Sequence, residues 1–344
     1  MASTTIANLW SPQIWINGAD ETVRTFPSFI TSGAVVRNPL FDEIASGAGT
    51  SANIPFFKDI SDTGENPQVE GSAPTLNNHN SGTQIAAILN REASFGASAL
   101  SSAVTGQDVV ADITRQLGIR RQKGIQTTVI NVLRGLTAFG SAPGTAAALS
   151  GVRYDLSLEV GASPAAGQLI SSNAFNTAAA LLGELRDGLM QGGAILMHPN
   201  IEAALLNADS LNWTYVALSD QKYVLPKYKG IPVYRSNLLV RNGSTSGVVY
   251  DTYLIAPGAI GLGQKPQVGD QVDASSLQYY PRPDLNEEQI YDRLRYLIHV
   301  RGTAFTGTPS GQSASNTELA TSTNWSLRFQ TADRTGVVQL RTNG

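Results

Sequence analysis

Cysteine is missing from all 344 residues, which excludes disulfides, thiolate metal sites and any mechanism built on a nucleophilic cysteine. Charge is scarce as well. Asp, Glu, Lys and Arg make up 15% of the chain, against about 25% in ordinary soluble domains, so most polar contacts fall to Ser, Thr, Asn and Gln. A surface so thin in charge fits a protein buried among neighbours better than one that lives alone. The formal net charge is −3, which leaves no basic excess to hold phosphates and argues against a sequence-specific nucleic-acid binder. No apolar run approaches the ~20 residues that span a bilayer. The start, MASTTIANLW, also lacks the basic-then-apolar pattern of a secretory signal. The chain reads as soluble, unprocessed by signal peptidase and without a membrane partner.

What is present is one long stretch of helical periodicity, residues 107–139, QDVVADITRQLGIRRQKGIQTTVINVLRGLTAF. Its apolar residues Val110, Ile113, Leu117, Ile125, Val129, Val132 and Leu136 fall in one stripe of a helix. Thr105 followed by Asp108 fits a capping-box start, and Gly140 with Pro143 supplies a stop. Such a helix is about 50 Å long, which makes it a strut; the blander alternative is an ordinary core helix. Gly118, Gly124 and Gly135 each weaken it by about 1 kcal/mol relative to Ala, so bends or close contacts are expected there.

Residues 1–50 mix Trp10, Trp15, Phe26 and Phe29 with Pro, Gly and Asn and show no long period. They read as an extended arm whose aromatics need a partner surface, or else as a strap over their own domain. Residues 51–98 read as two extended segments flanking a polar tip, a hairpin too long to be stable alone. Beyond the long helix, a short strand is expected at Tyr154 to Val160. A second helix then follows with the stripe Phe175, Ala178, Leu182, Leu185 and Leu189, started by Ser172 or Asn173 and ended by Gly192 and Gly193. AILMHPNIEAALLN reads as a buried strand running into a short helix opened by Pro199, and β-type runs follow to the carboxyl end. The fold class is α+β. Strands and helices do not alternate as βαβ units, which argues against a Rossmann or barrel enzyme.

No catalytic constellation emerges. GAIGLGQK at 258–265 lacks the GK[ST] ending of a phosphate loop, because Lys265 is followed by Pro266. GSTSG at 243–247 carries Thr245 where a nucleophile elbow needs Ser. His79, His198 and His299 have no carboxylate or second His at metal-ligand spacing, and Glu287 with Glu288 reads as a solvated turn. No catalytic, cofactor or metal residue is assigned.

The order of the pieces carries more than any one of them. WSPQIW at 10–15, SGAVVRN at 32–38, IPFFKDI at 54–60 and SSAVTGQDVVADI lead into the strut. MHPNIEAALL at 197–206, YKGIPVYRSN at 228–237, DTYLIAPGAIGLG at 251–263, RYLIHVRGTAFTG at 295–307 and NWSLRF at 324–329 follow it. Together they resemble the Hong Kong 97-type capsid fold of tailed-bacteriophage major capsid proteins, over nearly the whole chain. The resemblance implies an N-terminal arm at 1–50, an extended loop at 51–98, and a peripheral domain at 99–190 and 291–344 whose spine helix is 107–139. The axial domain would be 191–290. It implies a non-enzymatic, cofactor-free homo-oligomer of pentamers and hexamers, located in the virion and assembled in the host cytoplasm. That shell would enclose double-stranded DNA contacted non-specifically and would work with a portal protein and, in some relatives, a decoration protein. Many relatives carry a cleaved scaffolding segment before the arm, whereas Trp10 lies nine residues after Met1, so a separate scaffolding protein is expected. Lys58 lies near the loop base, but the three roles of a self-crosslink cannot be matched, and none is expected. An encapsulin-like compartment around a protein cargo is the alternative; a hydrolase or binding module is a more distant one.

One inter-subunit contact follows from charge. The loop carries Asp59, Asp62, Glu65 and Glu70 against Lys58, while the strut carries Arg115, Arg120, Arg121, Lys123 and Arg134 against Asp108 and Asp112. In the resembled fold the loop lies over an adjacent subunit's peripheral domain, so these charges are expected to pair between copies, with Trp10 and Trp15 holding the arm.

Overall fold

The computed structural model describes residues 29–60, 67–73, 76–98, 103, 108–137, 150–157, 164–217, 224–241, 247–266, 273 and 275–344. In chain order, β1 is Val35–Arg37, α1 Pro39–Ser46, β2 Ser51–Phe57, β3 Ser81–Ser98, α2 Val109–Thr137 and β4 Arg153–Asp155. Next come α3 Ser172–Ala180, β5 Ala194–Met197, α4 Pro199–Ala208, β6 Trp213–Ala217, β7 Val224–Tyr228, β8 Ile231–Arg235 and β9 Val240–Arg241. The chain continues through β10 Val249–Ile255, β11 Ile260–Gln264, β12 Ser276–Arg282, β13 Glu287–Val300 and β14 Thr303–Phe305. It closes with α5 Asn316–Leu319, β15 Trp325–Leu327 and β16 Val337–Thr342. The mixed α+β class is as expected from the pattern.

The strands form two mixed sheets. In the first, β1, β11, β13, β3, β14 and β15 follow one another, with β12 also on β13 and β2 also on β3. The second runs β4, β16, β10, β5, β8, β7, β6, with β9 on β10. β3 joins the loop to the body: residues Ser81 to Ala87 pair with β2, and Ala87 to Ser98 pair antiparallel with β13. The carboxyl-terminal β16 lies against β10 inside the second sheet, in register from Tyr250 opposite Thr342 to Ile255 opposite Val337.

Helix α2 starts where Asp108 Oδ1 accepts the Ala111 N–H at 3.0 Å, satisfying one of the donors a helix start leaves open; Thr105 lies outside the described residues. Its twenty-nine residues span about 44 Å. The two halves differ in burial. Val109 and Leu117 are the buried residues of the first half, whereas Ile125, Val129, Ile130, Val132, Leu133 and Leu136 are buried in the second, each contributing about 1.5–3 kcal/mol of side-chain burial. The helix is therefore a core element at its carboxyl end and a strut at its amino end. Only one of the three glycines makes a close contact. A Cβ at Gly135 would overlap the Leu319 carbonyl oxygen and come within 2.6 Å of Trp325 Nε1, while Gly118 and Gly124 have nothing within 4 Å.

Three local expectations change. Residues 29–50 are not a plain extended arm: β1 pairs parallel with β11, and α1 forms because Asn38 Oδ1 caps Leu40 N at 3.0 Å with Pro39 at the first helical position. Phe29 is buried at 1% exposure against Tyr234. The second helix stops at Ala180, and Gly183, at φ +55°, breaks it before a 3₁₀ stretch from Gly183 to Gln191. Its cap is Ser171, whose hydroxyl accepts from Ala174 N at 3.1 Å. The strand expected from Tyr154 is the shorter β4, beginning at Arg153.

Candidate assembly surfaces

At its amino half, α2 stands over β3 and β13 and leaves a groove of about 680 Å³ with Phe95, Ile113, Leu117 and Leu294 among its apolar lining. Arg120 and Arg121 reach across this groove to Asp292. Arg121 Nε donates to Asp292 Oδ1 at 2.9 Å and Arg120 Nη1 to Oδ2 at 3.5 Å, while the Asp292 side chain is 1% exposed. A carboxylate that deep needs a paired cation and hydrogen bonds, and the two arginines supply both. Arg115 pairs with Asp112 one turn back at 2.6 Å and is 60% exposed. Arg134 donates to the Val240 carbonyl at 2.9 Å. Lys123 lines the groove on the exposed side of the helix.

The structure thus gives most of the strut cations acid or carbonyl partners within the same chain. On the loop side, Asp59 accepts from Arg334 of its own chain at 3.1 Å. Glu70 is exposed in the turn at the loop. Glu65, Asp62, Trp10 and Trp15 lie outside the described residues. Asp292 was not singled out from the sequence; the signal was an acid in the middle of a strand otherwise flanked by Ile290 and Leu294 on one face.

Among the exposed apolar side chains, three groups lie close together in sequence. Phe57, Ile60, Val69 and Leu76 lie on the loop, the last 88% exposed. Tyr279, Tyr280 and Leu285 lie on the hairpin of β12 and β13, and Leu211, Tyr215 and Val216 on and before the edge strand β6.

The histidines are structural. His79 stacks on Phe57, with ring centroids 5.0 Å apart. His198 caps α4, its Nδ1 accepting from Asn200 N at 3.1 Å, and burial lowers its pKa from the ordinary range. His299 is 3% exposed, and burial pushes it down to about 4. GAIGLGQK spans β11, paired along its length with β13, so it forms sheet rather than a phosphate cradle. Glu287 and Glu288 open β13, paired to β12 and β3, instead of forming a turn. Among the described residues no group of three His, Asp or Glu side chains is placed to hold a metal, and no helix is long and apolar enough to cross a membrane.

No family model matches the sequence, and no curated protein matches it. Solved structures do. The capsid of Ralstonia phage GP4 superposes with a TM-score of 0.61 at 12% identity, covering 99% of this chain and 98% of that one. The capsid structure of cyanophage P-SCSP1u gives 0.58 at 12% identity, covering 98% and 94%, and the cyanophage Pam1 capsid gives 0.54 at 14% identity, covering 100% and 99%. At these identities the likeness establishes the fold, the Hong Kong 97-type capsid fold, from end to end.

Proposed function

We propose that this chain is the major capsid protein of a tailed bacteriophage, whose copies assemble as pentamers and hexamers into an icosahedral shell around double-stranded DNA. The observation that carries this reading is the end-to-end match to phage capsid structures, 99% of this chain against 98% of the GP4 capsid chain. A fold shared by unrelated activities would be weak grounds. Here the exposed apolar side chains of the loop, the β12–β13 hairpin and β6 are available to bury against neighbouring copies. The protein works without enzymatic chemistry or cofactor, in the virion, after assembly in the host cytoplasm. Scaffolding, portal and decoration proteins are the partners this role brings, and the packaged DNA is held non-specifically.

Within the shell, residues 1–50 act as the arm, 51–98 as the extended loop, 99–190 with 291–344 as the peripheral domain and 191–290 as the axial domain. β16 is bonded into the sheet of that last range, so a continuous sheet crosses the boundary. The loop acids Glu65 and Glu70 meet strut cations of an adjacent copy. Arg115 and Lys123 stand on the exposed side for this, with Arg120 and Arg121 shared with Asp292. Trp10 and Trp15 hold the arm to its neighbour.

Electron microscopy of the concentrated protein tests the reading. Closed shells that contain nucleic acid when purified from infected cells are expected. A monodisperse species near 36.4 kDa that never assembles, even when co-expressed with the scaffolding protein, overturns it, and shells filled with an enzyme instead of DNA turn it toward a protein-cargo compartment.

A further inference from the structure

We propose that Gln84 and His299 form an acid-released pin at the root of the extended hairpin. Gln84 sits on β3 within the stretch that pairs with β2, just before the strand crosses to β13. Its Oε1 accepts two hydrogen bonds from the body, from His299 Nε2 at 2.6 Å and from Gly302 N at 2.9 Å. Gly302 has φ +79° in the turn between β13 and β14. Both groups are buried, Gln84 at 6% and His299 at 3% exposure.

The bonding fixes the tautomer. Because Oε1 can only accept, the imidazole carries its proton on Nε2, and Nδ1 is a bare acceptor. That nitrogen is buried and meets no hydrogen-bond partner among the described residues. Acid must therefore add its proton at Nδ1, creating a buried cation with nothing to receive the new N–H. Rotating the Gln84 amide gives no relief, since its NH₂ would then face two donors.

The charges on the surrounding elements have other engagements. On β1, Arg37 donates to Gln264 Oε1 at 3.2 Å. On α1, Asp42 accepts from Gln264 N at 2.7 Å, and Glu43 is exposed. On β13, Arg295 donates to the Ala45 carbonyl at 2.8 Å, and Arg301 beyond it donates to the Arg334 carbonyl at 2.9 Å. β2, β11, β14 and the first half of β3 carry no charged residue. With no carboxylate to pair it, burial alone sets the titration of His299, at about 4.

The hairpin side yields before the body side. β13 is held by both β3 and β11. The hairpin root has Phe56 edge-on to Phe329, with centroids 5.3 Å apart, and the Asp59 to Arg334 pair. Beneath it lies an open cleft of about 1000 Å³, which gives it room to move. A His that is free at about 6.5 and pinned at about 4 makes the opened root more favourable as pH falls between those values, by about thirtyfold at pH 5 relative to pH 7.5.

Hydrogen exchange read by mass spectrometry on the full-length chain at pH 7.5 and pH 5, corrected for the intrinsic exchange rate, tests this. Peptides covering 51–57 and 81–87 are expected to open more than tenfold further at pH 5, while 290–298 stays protected, and in His299→Gln the pH dependence disappears. An unchanged hairpin root, an equal loss across 290–298, or the same pH dependence in the variant overturns the pin. Should the variant fail to fold, the parent still decides: proton NMR of His299 in the full chain must show it titrating below pH 5, and an ordinary value near 6.5 sinks the proposal.

Discussion

Arg121 on α2 and Asp292 on β13 lie 171 residues apart in sequence, yet their side chains are joined by a 2.9 Å hydrogen bond from Nε to Oδ1. This bond ties the exposed half of the strut to the sheet beneath it. Removing one partner of a buried pair leaves the other charge uncompensated, so Arg121→Ala is expected to cost about 3 kcal/mol of stability, with Arg120 cushioning part of the loss. Replacing both residues with apolar ones, Arg121→Met with Asp292→Leu, should recover most of it. Denaturant unfolding of the subunit checks both; a single variant as stable as the parent would mean the pair is decorative.

The same pair dictates how the contact between loop and strut is tested. Reversing Arg121 would unfold the strut from its own sheet and confuse two effects. Glu65→Lys with Glu70→Lys is expected to slow assembly and lower shell melting, and adding Arg115→Glu with Lys123→Glu should restore part of it. Each exposed pair contributes about 0–1 kcal/mol and is weakened by salt, so the effect is read best at low ionic strength, by light scattering. If the second reversal deepens the defect, the loop is held by Ile60, Val69 and Leu76 instead.

Glycines on one helix should respond in opposite directions. Gly124→Ala, with nothing within 4 Å of the added carbon, should stabilise by about 1 kcal/mol. Gly135→Ala drives that carbon into the Leu319 carbonyl and Trp325 and should destabilise by at least as much as overpacking usually does, about 1–3 kcal/mol. Thermal melting of the two variants side by side gives the sign of each.

Deleting residues 1–27 should leave a folded subunit that fails to close shells, as judged by circular dichroism and microscopy. The cut must stop before Phe29, because that ring is 1% exposed against Tyr234 and its loss would damage the core. Normal shells from the truncated chain would remove the arm from the assembly scheme.

Periodicity carried most of what the sequence made legible. The stripe from Val110 to Leu136 located the start of α2 to within two residues, because a long amphipathic helix repeats its signal many times, while the expected stop at Gly140 and Pro143 lies outside the described residues. Pro199 marked the start of α4 for a similar reason of local chemistry. Short elements were harder. Asn38 and Pro39 announce α1, but eight residues hold barely two turns of pattern. The end of α3 depends on Gly183 adopting φ +55°, which an unbroken stripe of Leu182, Leu185 and Leu189 conceals. Asp292 and Gln84 escaped notice because a single polar residue in a strand reveals its partner only after two distant segments meet.

β3 has a mechanical consequence. It runs unbroken from Ser81 in the hairpin to Ser98 beside β13, with twelve consecutive residue pairs in that second ladder. A pull on the hairpin along the strand is resisted in shear by all of these rungs together, whereas a sideways pull peels the β2 ladder one rung at a time. The hairpin is thus a stiff tether along one axis and a compliant one across it.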